Sequence, residues 1–143
     1  MHGVIGDNCL EALVDTDVLS FLLNEDPIRA PRYEPHIQGR VLCVSFISAA
    51  EMWLGAERRG SGSARRERLD LFLQHYVVLE STPRIGATWA HIRAYTQRHG
   101  RSIERQDAWI AATAVALDLP LVIHNAAHFA QVPILRIISE PDS

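Results

Sequence analysis

Two aspartates separated by a single residue follow the first apolar run of the chain. The stretch "LVDTDVLSF" (13–21) places Asp15 and Asp17 where a buried strand should turn into a helix. A carboxylate there can cap a helix, act as a phosphoryl-transfer nucleophile or hold a metal ion. For Asp17 the pattern favours a helix cap. Asp15 lies further back, at the apolar strand end, where an unpaired carboxylate would be costly to bury, so we predict a ligand role for it.

Three further polar residues occupy comparable places in the predicted elements. Glu51 lies in the helix after the second strand, Asp107 begins the most apolar helix, and Asn125 ends the strand that follows. Sites in open α/β sheets form at the carboxyl ends of the strands, so these side chains converge with Asp15 if the first strand is central. Carboxylates gathered from distant segments are the oxygen ligands that Mg²⁺ and Mn²⁺ prefer. The sequence therefore predicts a divalent-metal site.

Structural roles remain open for some of these groups. The stretch "SAAE" (48–51) matches the capping box, in which Ser48 and Glu51 exchange hydrogen bonds with each other's backbone amides. His124 and His128 are four residues apart but flank a loop after a strand, which favours surface or packing roles. We assign no ligand role to either histidine.

The composition of basic residues excludes two classes of chemistry. All 14 basic residues are arginine, and lysine is absent. The chain therefore cannot form a Schiff base, and it cannot contain a P-loop, whose lysine reaches the phosphates of a nucleotide. A net charge of -3 also excludes nucleic-acid binding by bulk positive charge, so any such contact must be local.

Arginines are concentrated in two parts of the chain. Such runs are usually solvated surfaces, but beside an anionic metal site they could hold a phosphate backbone, because arginine makes bidentate phosphate contacts. The first cluster is the one to which we assign RNA binding, through Arg58, Arg59, Arg65 and Arg66. The clusters comprise Arg58, Arg59, Arg65, Arg66 and Arg68 in the first, and Arg98, Arg101 and Arg105 in the second.

The pattern of apolar residues predicts strands alternating with helices. This alternation is typical of an α/β fold with a mostly parallel sheet. Segment 25–39 has no assignment, because Pro27, Pro31 and Pro35 should interrupt a helix. Strands are predicted at 10–15, 40–46, 77–80, 120–125 and 134–138, and helices at 18–24, 47–60, 61–76, 82–99 and 104–120.

Length and composition predict one globular domain over residues 1–143. Hydrophobic residues make up 48% and charged residues 22%, which argues against disorder. The longest apolar stretches, such as 109–117, are far shorter than the roughly 20 residues of a membrane span, and no signal peptide is visible. Cys9 and Cys43 lie in unrelated contexts, so we expect reduced thiols in a cytoplasmic protein.

Four segments carry a family resemblance. "LVDTDVLSFLLN", "VSFISAAEMWLGAERR", "QDAWIAATAVALDLPLVIHNAAHF" and "VPILRI" occur in this order between Leu13 and Ile138. Together they resemble the PIN-domain ribonucleases, and within them the VapC-type toxins of bacterial toxin–antitoxin pairs. The resemblance implies a three-layer α/β/α sandwich with a mostly parallel central sheet. It also implies a Mg²⁺- or Mn²⁺-dependent endoribonuclease that forms a homodimer and is blocked by a cognate antitoxin.

The resemblance also implies site residues. By position, Asp15, Glu51 and Asp107 correspond to the family's catalytic and metal-binding acids, with Thr16, Asp17 and Asn125 in supporting roles. The family usually has Asn where this chain has Asp17, and commonly has Thr where it has Ile123. Its fourth acidic position falls on Asn125, which leaves fewer charges on that side. Residues 1–12 are longer than the usual start of the family and are interpreted as an extension of unknown role.

Two rival functions stay open at this point. The stretch "DTDVL" satisfies the pattern of haloacid-dehalogenase-like phosphatases, with Asp15 as nucleophile and Asp17 as acid, but that mechanism also needs a lysine. The second rival is a degenerate PIN module that binds a partner without cutting. The proline-rich segment and Asn125 permit this function, whereas intact Asp15, Glu51 and Asp107 count against it.

Overall fold

The computed structural model describes residues 10–60 and 62–142. Residues 1–9, and with them Cys9 and most of the predicted N-terminal extension, lie outside the described residues. The strands are β1 (Glu11–Val14), β2 (Val41–Ser45), β3 (Val77–Leu79), β4 (Leu121–Val122) and β5 (Ile137–Ile138). The helices are α1 (Thr16–Leu23), α2 (Arg29–Ile37), α3 (Phe46–Arg58), α4 (Gly62–Leu73), α5 (Pro83–Arg98) and α6 (Arg105–Ala116), with a 3-10 helix at Ala126–Phe129.

The five described strands form one parallel sheet in the order β3-β2-β1-β4-β5. The chain first builds outward from β1 through β2 to β3, and then returns to the other side of β1 with β4 and β5. The strand order thus reverses beside β1. In sheets of this kind, the crevice for a ligand lies at the carboxyl ends of the strands on either side of such a reversal.

Alternating side chains of each strand bury against helices on opposite faces of the sheet. Leu13, Cys43 and Leu121 face one core, which α5 and α6 complete with Ile92 and Ile110. Their neighbours along the strands face a second core, completed by helices α1 to α4. The second set comprises Ala12, Val14, Val44 and Val122. The predicted three-layer α/β/α architecture is therefore confirmed, and its strands read as continuous apolar runs because both faces are covered.

The proline-rich segment forms a helix, so the expectation that its prolines interrupt a helix is wrong for residues 29–37. Pro31 lies in the first turn, where backbone amides have no partner within the helix, so its missing N–H removes nothing. Pro35 lies inside the helix, and its missing N–H removes one internal hydrogen bond. The Asp26 carboxylate compensates at the start of the helix by accepting from the amides of Ile28 (3.0 Å) and Arg29 (2.8 Å).

Several element boundaries differ from the prediction. Strand β4 contains only Leu121 and Val122, two residues of the six predicted. Glu11 and Ala12 belong to β1, so the predicted extension ends before them. Cys43 is a buried free thiol, as predicted, and its burial raises the pKa of that thiol. Within the described residues, no helix is long and apolar enough to span a membrane.

Candidate active site

A small pocket of about 120 Å³ opens at the carboxyl edge of the sheet, beside the point where the strand order reverses. Four acidic residues, Asp15, Asp17, Glu51 and Asp107, line it together with Thr16, Asn125 and His128. They come from the end of β1, from the first turns of α1 and α6, from the second turn of α3, and from the segment after β4 that carries the 3-10 helix. The structure therefore brings together Asp15, Glu51, Asp107, Thr16, Asp17 and Asn125, the six residues that were expected to share a site.

Asp15 is the most deeply buried acid of the pocket, with only 7% of its surface exposed. It is the residue before α1, and its backbone N–H donates to the carbonyl of Val122 in β4 (2.9 Å), which ties the first strand to the fourth. Burial, followed by the nearby charge of Asp17, raises the pKa of Asp15 to about 7, and Asp107 adds to the effect. The amides of Thr16 and Asp17 act in the opposite direction.

The predicted helix-cap role of Asp17 is wrong in register. Asp15 occupies the N-cap position of α1 with extended backbone, and its side chain makes no capping hydrogen bond. Asp17 lies inside the first turn, where its charge favours the positive end of the helix. Both acids therefore face the pocket from the start of one helix.

Glu51 is held by hydroxyl groups and not by a helix cap. Its Oε1 atom lies 2.7 Å from the Thr16 hydroxyl, which in turn lies 2.9 Å from the hydroxyl of Ser48. The Ser45 hydroxyl is 3.2 Å from that of Ser48. A single proton order, Ser45 to Ser48 to Thr16 to Glu51, lets each hydroxyl donate once and fixes the carboxylate on the pocket wall.

The capping-box interpretation of Ser48 and Glu51 is therefore wrong. Helix α3 begins at Phe46, and its N-cap is Ser45, whose side chain accepts from the amide of Ser48 (3.0 Å). The N-cap is thus three residues before Ser48, the residue that the capping box would have placed there. Ser48 is a buried residue of the first turn. The capping requirement of α3 is thus met without Glu51, whose carboxylate is free to act in the pocket.

Asp107 forms the opposite wall, in the first turn of α6. Its side chain is 24% exposed, and burial, followed by the charge of Glu104, raises its pKa, while His128 lowers it. The Nδ1 atom of His128 lies 3.6 Å from the Asp107 carboxylate, and Asn125 Nδ2 lies 3.1 Å from His128 Nε2. Donation from Asn125 to Nε2 leaves the ring proton on Nδ1, where it faces Asp107.

His128 is the pocket residue that the sequence analysis missed, because it was given only a surface or packing role. The signal was its position three residues after Asn125, which a 3-10 helix turns back toward the site. His124, in contrast, does pack as expected. Its Nδ1 atom lies 2.7 Å from the Tyr33 hydroxyl, its ring meets Phe21 edge to face, and its Nε2 atom lies 3.3 Å from Asp142.

The acids of the pocket suit a divalent cation by their chemistry. Carboxylate oxygens are preferred ligands of Mg²⁺ and Mn²⁺, and a cation would relieve the repulsion that helps to raise the pKa of Asp15. As the side chains stand, no group of three or more His, Cys, Asp and Glu residues in ranges 10–60 and 62–142 is arranged to hold a metal ion. The types of ligand atom thus suit a divalent cation, whereas the positions of the carboxylates would have to shift to complete a coordination shell.

The predicted RNA-binding arginines do not line this pocket. Arg58 is the last residue of α3 and Arg59 its C-cap, about two helical turns beyond Glu51, and Arg65 and Arg66 lie in the following helix. The Arg66 guanidinium pairs with Asp70 (3.1 Å) and lies 5.2 Å from the centre of the Trp53 ring. Because Arg66 already has these partners, Arg58 and Arg59 are the simpler candidates for phosphate contacts.

Comparison with known proteins gives a consistent family. The sequence matches the PIN domain model over residues 12–135. It is 28% identical over 127 residues to ribonuclease VapC2 of Haemophilus influenzae, covering 89% of this chain and 96% of that protein. It is 30% identical over 124 residues to toxin FitB of Neisseria gonorrhoeae, covering 82% of this chain and 89% of that protein.

Solved structures show the same fold. A chain in the crystal structure of DNA-bound VapBC from Salmonella typhimurium superposes with a TM-score of 0.81 at 25% identity, covering 91% of this chain and 98% of that one. A chain in the structure of VapBC2 from Rickettsia felis, bound to a DNA fragment from its promoter, gives 0.81 at 21% identity, with 91% and 98% covered. The matched range 12–135 contains all the residues that line the pocket.

Proposed function

Since this chain belongs to the PIN domain family, we propose that it is a metal-dependent endoribonuclease and the toxin of a toxin–antitoxin pair. One observation carries the proposal: Asp15, Glu51 and Asp107, from three distant segments, line one pocket at the carboxyl edge of the sheet. The similarity to ribonuclease VapC2 and to toxin FitB supports the reaction and the biological role. The reaction is hydrolysis of a phosphodiester bond in RNA.

In this proposal, Asp15, Glu51 and Asp107 bind a Mg²⁺ or Mn²⁺ ion. The ion would supply Lewis-acid stabilisation of the charge that develops on the scissile phosphate. Thr16 holds the Glu51 carboxylate in place, and Asn125 orients His128 beside Asp107. The exposed Asp17 adds negative charge to the pocket, whose innermost acid is the buried Asp15.

The same proposal includes the partners of the protein. A cognate antitoxin would cover the pocket, and the toxin would form a homodimer in the cytoplasm as a single domain. The solved VapBC and FitAcB structures that contain chains with this fold support a protein partner. Membership in the PIN family replaces the phosphatase alternative, which also lacked its lysine. A non-catalytic PIN module is the remaining second candidate, because the fourth acidic position holds Asn125.

The proposal is tested by cleavage of RNA with and without metal. Purified protein should cut single-stranded RNA in Mg²⁺ or Mn²⁺, leave DNA of the same sequence intact and stop in excess EDTA. Asp107→Asn should abolish cutting. Asp26→Asn removes a charge from an exposed helix start outside the pocket and should cut like wild type.

The outcomes separate the two candidate functions. Robust cutting in EDTA, by protein shown to be free of contaminating nuclease, would contradict the metal-dependent mechanism. If the protein cuts no RNA with any divalent ion and still binds its antitoxin, the non-catalytic module would be established instead.

A further inference from the structure

A second pocket of about 260 Å³ borders the acidic pocket. Asp107 and His128 line both, so these two side chains form a shared wall. The side chain of His128 is 58% exposed and stands between the two openings. A chain molecule bound in the acidic pocket can therefore continue into the second one without leaving the surface.

The wall of the second pocket is built rigidly, although it belongs to a loop. After α5, Gly100 takes a left-handed conformation (φ 81°), which lets the chain reverse toward α6. The Arg101 amide then donates to the carbonyl of Thr96 (3.1 Å), and the Ile103 amide donates to the Thr96 hydroxyl (3.2 Å). Thr96 and Ile103 are buried, so the protein core holds residues 101–103 in place.

The lining of the second pocket matches the groups of a nucleotide. Arg101 provides a guanidinium, which makes bidentate contacts to phosphate. Ser102 and Gln131 provide neutral donors and acceptors of the kind that read the edges of unpaired bases. Glu104 offers an acceptor for an exocyclic amino group, and Glu104 and Asp107 together outnumber the single positive charge of Arg101. The pocket therefore selects by specific contacts and not by net charge.

We propose that the Arg101 pocket binds the nucleotide next to the scissile bond in single-stranded RNA, with Arg101 on its phosphate. The inference rests on the proposed function, because it takes the acidic pocket as the place where the bond is cut. RNA is favoured over a peptide because the two pockets share a wall, and a nucleic-acid strand carries its next phosphate one nucleotide from the reacting one. Arg101 thus acts as a substrate-binding residue, distinct from the predicted cluster at Arg58 and Arg59.

The test compares Arg101→Gln with Arg84→Gln. Both substitutions remove one positive charge, but Arg84 lies at the other end of α5, in its first turn, and lines neither pocket. Binding of a six-nucleotide fluorescein-labelled RNA is measured by anisotropy across a salt series, with both variants made in an Asp15→Asn background so that RNA stays intact. Arg101→Gln should lower the slope of log affinity against log salt by about 0.7, and Arg84→Gln should leave it unchanged.

Kinetics and crosslinking supply independent readouts. In the otherwise wild-type protein, Arg101→Gln should raise KM about tenfold with little change in kcat, because the contact exists before and during bond cleavage. RNA carrying 4-thiouridine beside the cut position should crosslink to peptides that contain residues 101–104 or 127–131. Equal slopes and equal KM values for both variants, or crosslinks confined to other segments, overturn the proposal.

Failure of this inference is distinguishable from failure of the proposed function. If the wild-type protein cuts RNA but Arg101→Gln behaves like Arg84→Gln, the subsite is wrong and the nuclease assignment stands. If no RNA is cut, but the salt slope and the crosslinks depend on Arg101, the pocket binds RNA and the catalytic proposal is wrong. If Arg101→Gln weakens only the binding of the antitoxin, the pocket belongs to the protein interface, which also overturns the inference.

Discussion

Replacing Asp15 by asparagine should stabilise the metal-free protein while abolishing its activity. The pKa of Asp15 is raised from 3.8 to about 7, mainly because the carboxylate is buried and secondly because Asp17 is near. This difference of roughly 3 units corresponds to about 4 kcal/mol, at about 1.4 kcal/mol per unit. Asparagine has the same shape but cannot ionise, so it removes the penalty of a buried negative charge.

The sign of the effect fixes its pH dependence. Well below pH 3.8, Asp15 is protonated in both the folded and the unfolded state, and it contributes no penalty. As the pH rises toward 7, the unfolded chain releases its proton while the folded protein keeps it, so the wild type loses stability relative to the variant. Above about pH 8 the difference should be constant, at about 2 to 4 kcal/mol in favour of Asp15→Asn.

Urea unfolding in EDTA, followed by tryptophan fluorescence between pH 5 and 8.5, measures this difference. Asp26→Asn is the matched control, because it also replaces an aspartate but should change stability in the opposite direction. The amides of Arg29 and Ile28 lower the pKa of Asp26, so its replacement should weaken the protein at neutral pH. Adding Mn²⁺ should raise the melting temperature of the wild type but not of Asp15→Asn. If Asp15→Asn is no more stable than wild type at pH 8, or if its extra stability does not shrink toward pH 5, the buried charge of Asp15 does not destabilise the protein.

Three further predictions concern the groups around the acids. Glu51→Gln should lose both cutting and the Mn²⁺ shift in melting temperature; a wild-type shift with wild-type cutting would reduce Glu51 to a structural residue. Thr16→Val should lower activity by about 10- to 100-fold by releasing Glu51, whereas Thr16→Ser should keep most of it, and equal rates for both would contradict the hydroxyl's role. Replacing Arg58 and Arg59 with glutamine should reduce the salt slope of RNA binding by roughly 0.7 per lost contact; an unchanged slope would assign them to a solvated surface or to the antitoxin.

The sheet and its acids could be predicted because both follow from the periodicity of the sequence. Strands buried on both faces leave continuous apolar runs, and a polar residue at the end of such a run marks the carboxyl edge of the sheet. Asp15 and Asn125 are both found in this way. Glu51 followed because the helix after a parallel strand begins at the same edge. Asp107 followed because a charge at the start of an almost wholly apolar helix must face a cleft or be paired.

The remaining differences have local causes that a sequence pattern does not contain. Helix α2 forms across two prolines for two reasons. The backbone amides of its first turn have no acceptor within the helix, and the Asp26 carboxylate accepts from the amides of Ile28 and Arg29. The start of α3 was misjudged because its N-cap, Ser45, and the apolar Phe46 read as the end of the strand, and the stretch after them imitates a capping box. The contact between His128 and Asp107 depends on the direction of a single 3-10 turn, which no periodicity reports.

The position of β1 in the sheet determines when the protein becomes active during its synthesis. This strand is made before the other four described strands, yet it pairs on one side with β2 and on the other with β4, where Leu13 meets Leu121. Pairing between segments so far apart in the chain is slow, because a long loop must close before any contact stabilises the pair. A chain that has been made only as far as α3 therefore carries Asp15 and Glu51, but it has neither Asp107 nor β4, the strand that anchors Asp15. The site can close only after Asp107 and β4 have been made, so synthesis includes an interval in which the chain carries no complete site.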